Sequence, residues 1–244
     1  MSTHAPAWAL ALRRASERLL YDLGGGPRPL KFSWIINAQK GGSFAFYAAL
    51  MWWYSSHGVA SATSVAAWIY LALHGSYGLC WLLKDLCFPD ANWQRRITLP
   101  SSVVAAFGLA LYWSFGWLLI SGTASPRYPL ADGAWFCVCV SLGLLGSVIM
   151  IAADAQKFYT LRLQRGLISD GMFRHVRHPN YLGEMMVYAS FALLVWHWLP
   201  VAILALFWLG LFAPNMALKE ASMARYPQWA AYKKRSWWLF PGLL

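Results

Sequence analysis

Charge is scarce in this chain. Only 12% of its 244 residues are Asp, Glu, Lys or Arg, and just nine are acidic. A soluble domain carries roughly 25% charged residues, so this composition does not supply an ordinary water-facing surface. Hydrophobic residues make up 59% and the mean hydropathy is +0.43, which is the composition of a polytopic membrane protein. Paired cysteines are missing too. Cys80, Cys87, Cys137 and Cys139 form no C-x-x-C and lie in or beside apolar runs, so they read as small apolar side chains and not as ligands or disulfides. No H-E-x-x-H, clustered His/Cys set or G-x-S-x-G elbow occurs, which removes metal and serine hydrolases and leaves no metal expected. Gly24-Gly25-Gly26 lacks the Gly-Lys-Ser/Thr of a phosphate loop, and Gly143 and Gly146 have no strand-to-helix context for a dinucleotide fold. A cleavable signal peptide is not expected, because Arg13, Arg14, Glu17 and Arg18 interrupt the first apolar residues. There is no internal repeat and no low-complexity segment.

What is present is a series of apolar runs at about 41–57, 65–83, 101–121, 134–153, 181–197 and 199–216. Each is near the ~20 residues a helix needs to cross ~30 Å of hydrocarbon. The last two meet at Trp196-His197-Trp198-Leu199-Pro200, a tight aromatic turn, and sixteen Trp in all suit membrane–water interfaces. Residues 7–23 alternate apolar and basic positions at helical spacing, which predicts an amphipathic helix on the membrane surface, ended by the glycines and Pro27. The expected fold is an all-α polytopic membrane bundle of about six spans after this helix, with residues 1–40 as an interfacial segment and 41–244 as one integral domain.

The basic residues fix an orientation. With the N-terminus on side one, nineteen of the twenty Lys and Arg fall on that side and only Arg127 on the other. The positive-inside rule makes side one cytoplasmic, with both termini there, in the endoplasmic reticulum of a eukaryote or the inner membrane of a bacterium. The formal charge of +11 is spread over four segments and forms no stripe beside stacking aromatics, so nucleic acid is not an expected partner. The oligomeric state is not readable from the sequence.

Polar residues inside spans are functional candidates by default. Pro179 suits the first position of a helix. From there Asn180 and Glu184, at i and i+4, and Tyr181, three before Glu184, share a face that leads from side one into the bundle. Either this face binds a polar ligand or Glu184 merely ties down a loop. His74 and Tyr77, at i and i+3 in the second span, either donate protons to a carbonyl or form an interhelical hydrogen-bonded pair worth ~0.5–2 kcal/mol. The loop 154–180 carries Lys157, Arg162, Arg165, Arg174 and Arg177. It either sets topology or receives a phosphate-bearing ligand, which arginine forks match in pairs.

Asp154-Ala-Gln-Lys157, Gly171-Met-Phe-Arg and Arg177-His-Pro-Asn-Tyr-Leu-Gly-Glu184 resemble the C-terminal half of the steroid 5α-reductase superfamily, which includes the sterol C14-reductases. Glu220, Arg225-Tyr-Pro and Tyr232-Lys-Lys-Arg extend the likeness into the tail. The resemblance implies NADPH held by the half of the chain from about residue 150. It implies Asp154, Lys157, Asn180, Tyr181 and Glu184 as cofactor contacts, Arg162, Arg165, Arg177 and His178 as phosphate or ribose partners, and Glu220 and Tyr232 as further contacts. Steroid 5α-reductases carry Gln-Glu-x-Pro-Ser-Phe where this chain has Gln39-Lys40-Gly41-Gly42-Ser43-Phe44, so Lys40 stands in place of a carbonyl-polarising acid. Lys40, His74 and Tyr77 are the candidate catalytic residues, and a cation can also stabilise a developing enolate. The expected activity is NADPH-dependent reduction of an activated C=C bond in a lipid-soluble, sterol- or enone-like substrate. Isoprenylcysteine carboxyl methyltransferases carry a similar Arg-His-Pro-x-Tyr, which keeps S-adenosylmethionine open as the cofactor. Lys40 in place of the acid also keeps open a non-catalytic, lipid-binding membrane protein.

Overall fold

The computed structural model describes residues 5–242. Helix α1 (Ala7–Tyr21) is followed by Gly24, Gly25 and Gly26, all at positive φ (73°, 65° and 87°), a run of left-handed backbone that side-chain-bearing residues resist. The chain then pairs β1 (Leu30–Lys31) with β2 (Arg96–Ile97), antiparallel, Leu30 opposite Ile97. This short clasp joins the start of α2 (Phe32–Ser56) to the start of α4 (Leu99–Ile120), with α3 (Val65–Cys87) between them. Ser64 caps α3 by accepting from the Ala67 N–H, and Thr98 caps α4 by accepting from the Ser101 N–H, with Pro100 in the first turn. Helix α5 (Asp132–Leu163) pairs along its length with α6 (Pro179–Val195).

Helix α6 starts on Pro179, as expected, and ends where Trp196 takes φ 47°. A left-handed non-glycine residue costs ~1–2 kcal/mol. Here the Trp196 ring meets Trp135 edge-on at 5.0 Å, and His197 Nδ1 accepts from the Leu199 N–H to start the next helix. The aromatic turn read from the sequence is therefore real. Helix α7 (Trp198–Phe207) runs through a widened π turn (Trp208–Phe212) into α8 (Ala213–Met223), and α9 (Trp229–Arg235) completes the tail.

The fold is a helical membrane bundle. The six apolar runs fall almost wholly on helices, and among the described residues four stretches (Val65–Cys87, Leu99–Ile120, Asp132–Leu163 and Trp198–Met223) are long and apolar enough to cross a membrane on their own terms. Helix α6 has 17 residues, and α2 carries Asn37, Gln39 and Lys40 in its first half, so these two depend on their neighbours. The backbones approach closely there. A Cβ on Gly183 would lie 2.5 Å from the Gly146 carbonyl oxygen, and one on Gly78 would overlap the carbonyl oxygen of Lys40. Small residues at such seams let helices pack by dispersion where the lipid offers no hydrophobic drive.

The boundaries depart from expectation in one consistent way. Helix α2 begins at Phe32, not 41. Helix α3 continues to Cys87, α5 to Leu163 and the last long helix to Met223. Residues 32–40 are thus part of the bundle, and Asp154 to Leu163 are helical instead of loop. All four extensions carry polar or charged residues among apolar ones and lie at the same end of the bundle. They are held by each other: Asn37 Nδ2 donates to Asp85 Oδ2 at 2.7 Å, and Lys84 Nζ is 3.0 Å from Asp154 Oδ2. Helix α1 lies against α4 and α8, with Arg13 Nη1 donating to Asn215 Oδ1 at 2.7 Å and Tyr21 buried. Its outer face leaves Trp8, Leu12 and Leu19 exposed.

Candidate functional site

The polar helix extensions enclose a cavity of about 510 Å³. At the side-one end its polar liners, among them Asp90, Asp154, Lys157, Asn180 and Lys219, stand beside Leu20, Tyr21, Phe32 and Ile36. Its other half is walled by Ala105, Leu109, Tyr112, Phe207, Leu211 and Phe212, from α4 and the π turn. Lys40, Trp81, Glu184 and Tyr188 line it as well. One cavity thus carries a polar compartment and an apolar one.

Helical spacing explains why these residues converge. Asp154 and Lys157 are three apart on α5. On α6, Tyr181, Glu184 and Tyr188 are at i, i+3 and i+7, and Asn180 is four before Glu184. On α3, Tyr77, Trp81 and Lys84 are at i, i+4 and i+7. The Lys40 ammonium is 2.7 Å from Tyr77 OH and 3.4 Å from Glu184 Oε1, and it sits 3.4 Å above the Trp81 ring centroid. An ammonium has three N–H donors, and Tyr77 and Glu184 take two. The close seams at Gly78 and Gly183 set this geometry, because they fix the helix faces that carry Lys40 and Glu184.

The structure places the residues singled out from sequence in five different settings. Lys40, Asp154, Lys157, Asn180, Tyr181 and Glu184 line the cavity together. Tyr77 lies behind Lys40, 3% exposed and outside the cavity lining, with its OH 2.7 Å from that ammonium and its ring against Trp81 and Tyr188. His74 lies apart. Its Nδ1 is 2.9 Å from Tyr70 OH and 3.3 Å from Tyr47 OH, and its ring stacks on Phe191 at 4.3 Å. The contact with Tyr47 is an interhelical hydrogen bond from α3 to α2, while Tyr70 is one turn earlier on α3 itself, and Tyr77 is not a partner. Arg162 and Arg165 are exposed and outside the cavity lining. The continuation of α5 explains Arg162: at ~100° per residue, five positions turn it about 140° away from Lys157.

Arg177, His178, Glu220 and Tyr232 form a clamp beside the cavity, not in its lining. Arg177 Nε donates to Glu220 Oε1 at 2.6 Å, and its Nη1 donates to the Ser236 carbonyl. Tyr232 OH donates to the Phe173 carbonyl at 2.6 Å. His178 Nε2 lies 3.4 Å from Glu220 Oε1 without hydrogen-bond geometry. Burial lowers the His178 pKa below the ordinary imidazole value against the pull of Glu220, and the ring is neutral at pH 7. Together these groups bind the tail to the segment before α6.

Lys84, Asp90, Trp81, Trp93, Tyr112, Tyr188 and Lys219 were not singled out from sequence. For Trp81, Lys84 and Tyr188 the signal was there in the helical spacing to Tyr77 and Glu184. For Asp90, Trp93 and Lys219 there was none, since they are brought to the cavity from a loop and from the distant α8. Burial pushes the Asp90 carboxyl up, yet Lys157, the Asn92 backbone N–H, Lys219 and Lys84 together hold it below the usual carboxylate value. Among the described residues no group of His, Cys, Asp and Glu is arranged to hold a metal ion.

A family model described as "Protein of unknown function (DUF1295)" matches residues 91–236. An uncharacterized protein of Schizosaccharomyces pombe is 28% identical over 191 residues, covering 63% of this chain and 55% of the relative. The chain therefore spans about half the length of that curated relative. The match to the family takes in the cavity wall from Asp154 to Lys219, while Lys40, Tyr77 and α1 lie before it.

Proposed function

The chain belongs to the DUF1295 family, within the steroid 5α-reductase-like superfamily, and from that premise we propose that it is a membrane-embedded, NADPH-dependent reductase of an activated C=C bond in a lipid-soluble substrate. One observation carries the reading. Asp154, Lys157, Asn180, Tyr181 and Glu184, from two different helices, wall the same cavity that Lys40 lines and that α4 and the π turn make apolar.

The donor set fits the cofactor. Asp154 and Asn180 suit ribose hydroxyls and the carboxamide, Lys157 and Lys219 suit phosphate oxygens, and Trp93 and Tyr181 offer aromatic faces. When bound, the reduced nicotinamide supplies the hydride. The chain's own residues do the rest. The apolar wall takes the hydrocarbon of the substrate and excludes water. Lys40, with one N–H free of Tyr77 and Glu184, holds the carbonyl oxygen of an enone, stabilises the negative charge that develops there, and gives the proton that with the hydride completes the reduction, regaining it from water at the side-one mouth of the cavity. Tyr77, Glu184 and the Trp81 ring fix the direction of that ammonium, so they position the cation without touching the substrate carbonyl themselves.

The test is NADPH oxidation by the purified full chain in lipid nanodiscs, against a panel of enone lipids. Lys40→Met is expected to lower kcat by about 10²-fold, the usual loss for one oxyanion donor, with KM for NADPH little changed. No NADPH binding, together with S-adenosylmethionine binding, would overturn the reading. That outcome is a distinct second reading, a membrane methyltransferase. It is favoured by one observation: Arg162 and Arg165, the cations that spoke most for phosphate in the sequence, are outside the cavity.

A further inference from the structure

The carboxylates that line the cavity are all matched by cations. Glu17 Oε1 has Arg13 at 2.9 Å and Arg95 at 3.4 Å, Asp154 has Lys84 at 3.0 Å, Glu184 has Lys40 at 3.4 Å, and Asp90 has Lys157 at 3.7 Å. Lys219 is left over. It lines the cavity from α8, half-buried, with its ammonium 4.4 Å from the Tyr181 ring centroid, and among the described residues no carboxylate lies within ion-pair distance of it. Its neighbour Glu220 is about 100° round the helix and is engaged by Arg177.

Lys157 holds Asp90 only loosely, since their 3.7 Å separation is an ion pair beyond hydrogen-bond length. Both lysines act on Asp90 strongly enough to help hold its carboxyl low despite burial, so both charges are close to one point of the polar compartment. Removing an ammonium from bulk water without a partner is costly. With the partners just named, six cations (Arg13, Arg95, Lys84, Lys40, Lys157 and Lys219) face the four lining carboxylates (Glu17, Asp90, Asp154 and Glu184), and that excess favours an anionic occupant.

We propose that Lys219, with Lys157 beside it, forms a subsite for a phosphate ester or phosphoric anhydride in the polar compartment, and that Lys219 is its principal anchor. The inference rests on the cofactor reading above insofar as a dinucleotide is one source of that group. A phospholipid headgroup from the side-one leaflet is the other source. An ammonium suits the role because it is a point charge that donates to phosphate oxygens in several directions.

The experiment measures binding to the full chain in zwitterionic nanodiscs by calorimetry. The probes are inorganic pyrophosphate, NADPH, and phosphatidylglycerol doped into the disc as a competitor of pyrophosphate. Pyrophosphate is expected to bind wild type and to lose at least about tenfold in affinity in Lys219→Ala, the loss of one charge-assisted contact, with Lys219→Arg recovering most of it and Arg162→Ala unchanged. Equal pyrophosphate affinity in wild type and Lys219→Ala, or no pyrophosphate binding to wild type, would overturn the subsite. Competition by NADPH identifies the dinucleotide as the source, and competition by phosphatidylglycerol alone identifies the headgroup. In that second case the subsite stands while the reductase reading loses its phosphate anchor at Lys219. NADPH turnover that survives Lys219→Ala with an unchanged KM leaves the reductase standing, and without competition by phosphatidylglycerol the subsite then falls.

Discussion

A single methyl group tests whether the α5–α6 seam sets the site. In Gly183→Ala the new Cβ would lie 2.5 Å from both the Gly146 carbonyl oxygen and the Met150 nitrogen, and ordinary contact begins at 3.4 Å, so α6 must retreat by about 0.9 Å. The obstacles are backbone atoms and cannot swing aside. Alanine gains up to about 1 kcal/mol over glycine in a helix, while overpacking costs about 1–3 kcal/mol, occasionally more. The clash wins, and the net expectation is a loss of about 1–2 kcal/mol. Glu184 is the next residue and moves with the displaced backbone, so its 3.4 Å contact to Lys40 lengthens and the ion pair weakens. Gly133→Ala is the control: it is also helical, with nothing within 4 Å of its Cβ, and is expected to be neutral or more stable. Both are measured by SDS or thermal unfolding in detergent micelles, followed by circular dichroism. If the two variants shift stability by the same amount and sign, the close seam is not what holds Glu184.

Lys40→Met and Glu184→Leu each leave a largely buried charge without its partner and are expected to cost about 3 kcal/mol. The double variant should lose less than the sum, with a coupling of about 1–3 kcal/mol; additivity in the unfolding cycle would show that the pair does not interact. Arg177→Met leaves the Glu220 carboxylate without its closest partner and is expected to cost a similar amount and to speed proteolysis after α8, whereas exposed Arg174→Met should do neither. For His178 the folded pKa is below the ordinary 6.5, so between the two values the unfolded chain binds a proton that the folded chain refuses. The stability from its neutral burial is then complete above about pH 6.5 and is lost as pH falls toward the lower folded value. His178→Phe should flatten that part of the profile, and an unchanged slope would place the titration elsewhere.

The middles of the helices were legible in the sequence because hydrocarbon demands unbroken apolar runs, and no long-range partner alters that demand. Their ends were not legible. Lys84 and Asp85 resembled the start of a loop until Asp154 and Asn37 arrived from other helices to pair with them. The motif wall from Asp154 to Glu184 was readable because its spacing is local and helical. Arg162 and Arg165 misled because the reading treated residues after Asp154 as loop, where every cation can turn inward, while a continuing helix assigns each one a face. Tyr77 and Lys40 were both singled out, but that one stands behind the other depends on the Gly78 seam, which no local pattern announces. Lys219 needed the knowledge that the acids around it were already taken.

Helix α1 has a consequence for the order in which the protein is made. Its Arg13 bonds to Asn215, 202 residues later in the chain. At the usual rate of about 5–20 residues per second of synthesis, α1 waits about 10–40 s for the helix it will rest on. During that interval its apolar side, with Trp8, Leu12 and Leu19, has the pattern that suits a membrane surface as a temporary berth, and the same side is still turned outward when the wait is over. The amphipathic pattern thus serves two successive partners. The outward face stays available throughout, and the cavity receives the other only after α8 has been made, so the site is completed by α1 docking on a helix that follows it by some 200 residues.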